Sequence, residues 1–98
     1  MSPLEDLIYQ HIPPDFSKET RMSLAKELAL FLSNEKLSSL RGELGRRQNA
    51  ASKRRSNVPR AKQIDRLNAL LEVLRDRSIP IDLHHIVNYD IVMNAMSS

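Results

Sequence analysis

Eight cationic side chains crowd one stretch of 22 residues: Arg41, Arg46, Arg47, Lys53, Arg54, Arg55, Arg60 and Lys62 share residues 41–62 with a single acid, Glu43. That piece carries +7 and the flanks 1–40 and 63–98 carry −2 each, so the chain's net +3 conceals a dense positive segment. Six of the eight are arginine, whose planar fork matches phosphate or carboxylate oxygens two at a time. Nucleic acid offers such oxygens in a regular line. Each Lys or Arg that neutralises a phosphate releases condensed counterions, a favourable change that needs no reading of base sequence. Gln48, Asn49 and Ser52 add neutral phosphate donors. No aromatic residue occurs from position 32 to 88, so bases have no ring to stack on there, which favours a duplex backbone over a single strand. An acidic protein surface would suit the same cations.

Other chemistries lack their residues. The chain has no cysteine, which excludes thiol nucleophiles, disulfide scaffolds and cysteine-based zinc sites. No Gly-x-Ser-x-Gly elbow, phosphate-binding Walker loop or His-Glu-x-x-His pair is present, so the expectation is a protein that is not an enzyme. His84 and His85 are adjacent and would point about 100° apart on a helix, unable to share one metal; no metal and no cofactor is expected. Glu5-Asp6, and Glu72 with Asp76 at i, i+4, read as solvated helix faces. The first thirty residues hold Glu5, Asp6 and Asp15 with prolines at 3, 13 and 14, unlike a secretory leader. No apolar run approaches the ~20 residues of a membrane span. The expected location is intracellular, with cytoplasm and nucleoid or nucleus not distinguished, and no membrane partner.

The elements that must hold these cations are helical. Ser2 caps a first helix with Pro3 at its first position and Glu5 closing a capping box; Leu4, Leu7, Ile8 and Ile12 follow at helical spacing until Pro13-Pro14 stops them. Ser17 caps a second helix, in which Leu24, Ala25, Leu28, Ala29, Phe31 and Leu32 cover so wide an arc that it suits the centre of a bundle. Ser33 or Asn34 caps a third, carrying Leu37, Leu40 and Leu44, with Gly42 and Gly45 each weakening it by up to ~1 kcal/mol. From Arg46 to Val58 no large apolar residue precedes Val58, so residues 46–58 read as a loop or a fraying helical extension. Pro59 opens a fourth helix with the stripe Ile64, Leu67, Leu70, Leu71 and Leu74, ending near Arg77 ahead of Ser78-Ile79-Pro80. Asp82 starts a fifth, apolar on most sides, through Met96; Ile79, Ile81 and Leu83 alternate as a short strand would.

The expected whole is one domain over residues 1–98, all-α, a small bundle of four to five helices. With 41% hydrophobic residues over 98 positions the core is lean, and a second copy could complete it. The expected homodimer forms through the fourth and last helices, with Leu67, Leu71, Leu74, Ile86 and Met93 at the interface.

Three resemblances bear on function. Gln48-Asn49-Ala50-Ala51-Ser52-Lys53-Arg54-Arg55 resembles the basic region of bZIP transcription factors. It departs where Asn49 touches the alanine pair directly, and Pro59 interrupts the continuous helix that family needs. Leu37, Leu40 and Leu44-Gly45, then Leu67, Leu70, Leu71 and Leu74, then Leu83 and Ile86, resemble the leucine spacing of death-fold adaptor domains. That resemblance implies homotypic assembly, basic segment of one copy against acidic ends of another. The small helical make-up with a cationic patch is also similar to that of the dimeric duplex-RNA-binding suppressors of some RNA viruses.

Overall fold

The computed structural model describes residues 2–52 and 59–80, and these form four α-helices and no strand: α1 (Pro3–Gln10), α2 (Lys18–Phe31), α3 (Leu37–Ser52) and α4 (Pro59–Asp76). The residues assigned to a fifth helix or a strand beyond Ile79, Ile86 and Met93 among them, lie outside the described residues, as do Lys53, Arg54 and Arg55. None of the described helices is long and apolar enough to cross a membrane.

Local chemistry sets most helix ends. The Ser2 hydroxyl accepts the Glu5 N–H at 3.2 Å, Pro3 fills the first helical position, and Glu5 and Asp6 complement the positive end of the helix dipole. At the other end the His11 N–H donates to the Ile8 carbonyl and the Ile12 N–H to Tyr9, a tightened turn that Pro13 and Pro14 prevent from continuing. Ser17 repeats the cap for α2, accepting from the Thr20 N–H at 3.2 Å. The α3 start differs from expectation. The carbonyl of Lys36 accepts the first helical bond, from Leu40, and the Ser33 hydroxyl instead donates to the Leu30 carbonyl at the end of α2.

The end of α4 is a Schellman motif. The Ile79 N–H donates to the Leu74 carbonyl and the Ser78 N–H to Arg75, with Ser78 in the left-handed region at φ 54. Ile79 folds back onto the core that contains Leu74, the apolar contact that accompanies this motif.

α3 packs along α4, α1 packs on α2, and α1 also touches α3. The α3–α4 pair runs antiparallel, since Arg47 meets Glu72 and Asp76 while the earlier Glu35 and Glu43 meet the later Arg77. One core joins Leu7, Ile8 and Ile12 of the first segment to Leu28 and Leu32, Leu40 and Leu44, and Leu70, Val73 and Leu74. Each such side chain contributes about 1.5–3 kcal/mol through burial. Phe16, in the link between α1 and α2, covers the other end of α4 with Ile64 and Leu71 around the buried Leu67. Leu67 and Leu74 are 1% and 0% exposed in a single copy, so the chain fills both positions by itself, and Leu71 is half-buried. The buried stripe of α2 is narrower than its sequence suggests. Leu24, Ala25, Leu28, Ala29 and Leu32 are inside, while Phe31 is 48% and Leu30 78% exposed, so α2 flanks the bundle and does not run through its centre.

Candidate nucleic-acid interface

Residues 46–52 are helical, an extension of α3 by nearly two turns past its last buried leucine, Leu44. An ion-pair hub holds this extension, where no apolar face does. Arg47 donates to Glu43 on its own helix at 2.9 Å and, across to α4, to Glu72 at 3.2 Å and Asp76 at 2.6 Å. Arg77 bonds Glu43 and Glu35, both at 2.8 Å, closing a network of two guanidinium groups among four carboxylates. Glu72 and Asp76 are thus bound acids of an interhelical clamp.

The electrostatic consequences are mutual. Hydrogen bonds from Arg77 above all, and from Arg47, hold the Glu43 carboxyl below its ordinary range. The carboxylates of Asp76 and Glu43 in turn raise Arg47, and those of Glu43 and Glu35 raise Arg77.

Two faces of α3 separate the cations. On a helical wheel Glu43 and Arg47 lie nearly opposite Arg41, Gly45 and Gln48, with Leu40 and Leu44 on the core side between them. Arg46 occupies the outer sector and is exposed; its side chain lies back along the helix, so that a Cβ built on Gly42 would sit 3.4 Å from its Nη1. Arg41 and Lys62 are exposed as well. Among the described residues no carboxylate pairs with Arg41, Arg46 or Lys62, whereas Arg47 is engaged three times over. Arg60 falls in the first turn of α4.

Opposite the hub is an open cleft of about 580 Å³ between the end of α1, α3 and the first half of α4. Arg41 lines it together with Arg66 of α4 and Arg21 of α2, neither of which the sequence singles out, because each stands alone among mixed neighbours. Arg21 is fixed in place. Its guanidinium lies 4.0 Å from the centre of the Tyr9 ring and donates to the Tyr9 carbonyl and hydroxyl, both at 3.3 Å. His11 also lines the cleft and is 8% exposed. Its Nδ1 sits 2.8 Å from the Leu7 carbonyl, which can only accept, so Nδ1 carries the hydrogen. Burial holds His11 below its usual pKa and the nearby Arg66 charge adds to this, against the Leu7 hydrogen bond.

No group of three metal-ligating side chains occurs among the described residues. The chain matches no protein-family model, no curated protein and no solved structure.

Proposed function

We propose that this chain is a non-enzymatic nucleic-acid-binding protein that holds the phosphate backbone of a duplex through the outer face of α3 and the start of α4. The observation that carries the reading is the division of labour among the arginines. Glu35, Glu43, Glu72 and Asp76 are gathered on Arg47 and Arg77, while the exposed Arg41, Arg46 and Lys62 pair with no carboxylate among the described residues. Cations left without an internal partner are the ones that gain by displacing counterions from phosphates. We assign Lys53, Arg54 and Arg55, between the two helices in sequence, and Arg60, in the first turn of α4, to the same binding segment on charge alone. Arg47 serves instead as a brace between α3 and α4. Two copies related by a two-fold axis would present two such surfaces to one duplex.

A second reading is homotypic assembly as a helical interaction module, favoured by Leu30 and Phe31 lying exposed side by side at the end of α2. Anisotropy titrations of labelled duplex RNA, duplex DNA and single strands at about 50 mM salt separate the two. The nucleic-acid reading expects duplex binding that an Arg46→Ala/Arg54→Ala/Arg55→Ala/Lys62→Ala variant loses while remaining folded. Absence of binding to every nucleic acid, with concentration-dependent self-association that Leu30→Ser/Phe31→Ser abolishes, would establish the second reading instead.

A further inference from the structure

The cleft has a composition that the packing of the bundle does not require. Arg21, Arg41 and Arg66 reach it from three different helices, Gln10, Gln48 and Gln63 stand among them, and among the described residues no carboxylate lines it. Three like charges around one open space repel one another, an arrangement that becomes favourable when a multiply charged anion sits between them. Arg21 is already held by Tyr9, so it would lose little freedom on binding, and its Nε is buried with no hydrogen-bond partner. Gly45 on the α3 wall is a second, independent observation. It sits in mid-helix, where glycine is unfavourable, yet a Cβ there would meet nothing within 4 Å. Packing therefore does not ask for glycine, and the missing side chain leaves this part of the cleft open.

We propose that this cleft binds a phosphate monoester carried on a group the size of a nucleotide. A terminal phosphate bears up to two charges where an internal phosphodiester bears one, which suits a cluster of three guanidinium groups. The volume falls within the range of about 300–1,000 Å³ usual for small-ligand sites and far exceeds a bare phosphate. The glutamine amides supply paired donors and acceptors for the body of the ligand, and Ile12 and Pro13 supply an apolar wall. A free nucleotide and the 5′-phosphorylated end of a strand present the same chemistry. The first stands apart from backbone binding, and the second rests on it.

Calorimetric titration of the full chain tests this with adenosine 5′-monophosphate, adenosine, and one duplex bearing either a 5′-phosphate or a 5′-hydroxyl. A free-nucleotide ligand predicts that the monophosphate binds at least about tenfold tighter than adenosine. Arg66→Gln and Gly45→Leu, both at positions outside the core, then remove that preference without lowering the melting temperature, whereas Arg46→Ala/Lys62→Ala retains it. A strand-end ligand predicts instead that the 5′-phosphate duplex outbinds the 5′-hydroxyl duplex by a similar factor, a difference that Arg66→Gln erases. Equal binding of phosphorylated and unphosphorylated ligands in both pairs overturns the proposal, as does an Arg66→Gln effect of the same size on the 5′-hydroxyl duplex. Loss of duplex binding with nucleotide binding intact would refute the backbone reading and leave this one standing.

Discussion

Without its guanidinium, position 47 would leave Glu43, Glu72 and Asp76 close together, offset only by Arg77 at Glu43 and by the exposed Arg75, 3.9 Å from Asp76, among the described residues. Each pair is partly exposed, and such pairs contribute only about 0.2–1 kcal/mol apiece, so Arg47→Ala should cost about 1–2 kcal/mol in total. Urea midpoints check this, and the loss should shrink at high salt, where exposed charges are screened. Arg47→Lys should recover only part of the loss, since an ammonium cannot reach three carboxylates with a planar fork. His11 gives a pH dependence of opposite origin. Its folded pKa lies below the unfolded 6.5, so the unfolded chain takes up the proton first as pH falls. Stability is therefore full above about 6.5 and declines below it, while the loss tied to Glu43 begins further down, below its ordinary 4.5. A denaturation midpoint that drops between about pH 7.5 and pH 5.5 in the wild type and stays flat in His11→Gln is the expected result. The i, i+4 spacings of Glu43 with Arg47 and of Glu72 with Asp76 are visible in sequence. Their meeting is not, because it depends on how α3 and α4 lie against each other.

Helix ends follow local rules, and here the sequence was most informative. Ser2 and Pro3, Ser17, Pro13-Pro14, Pro59 and Ser78-Ile79-Pro80 all act within one turn of chain, and α1, α2 and α4 begin or stop where those residues require. The start of α3 was less legible because Ser33 is used by the helix before it. Its far end was less legible still. Apolar periodicity stops at Leu44, the helix runs on to Ser52, and the charge clamp at Glu43 and Arg47 leaves no apolar pattern. Ser78 supplies the prediction at this scale. A non-glycine residue at φ 54 is strained, and nothing in the Schellman turn needs its side chain, so Ser78→Gly should raise stability by about 0.5–1 kcal/mol. Thermal unfolding measures it, and a lower midpoint would mean that the hydroxyl contributes more than the strain costs.

At the scale of the molecule, charge is sorted by the fold and not simply by the chain. The +7 segment divides into a brace that faces α4, an outer face, and a cleft wall that recruits Arg21 and Arg66 from elsewhere in the sequence. Counting charges along the chain reveals the excess but not this sorting, which requires the wheel of α3 and the antiparallel partner together. The same holds for apolar surface: Phe31 fits the α2 arc on paper and lies at the surface, since α2 packs chiefly on α1. If the outer cations bind phosphate and Arg47 does not, the dependence of duplex affinity on salt must show it. The decisive measurement is the slope of log K against log salt concentration for the wild type, Arg46→Ala/Lys62→Ala and Arg47→Ala. With a slope of about −0.9 per phosphate contact, the double variant should be shallower by about 2 and Arg47→Ala should match the wild type. A slope that flattens in Arg47→Ala and is unchanged in Arg46→Ala/Lys62→Ala, or a wild type that binds no duplex at about 50 mM salt, would contradict the account.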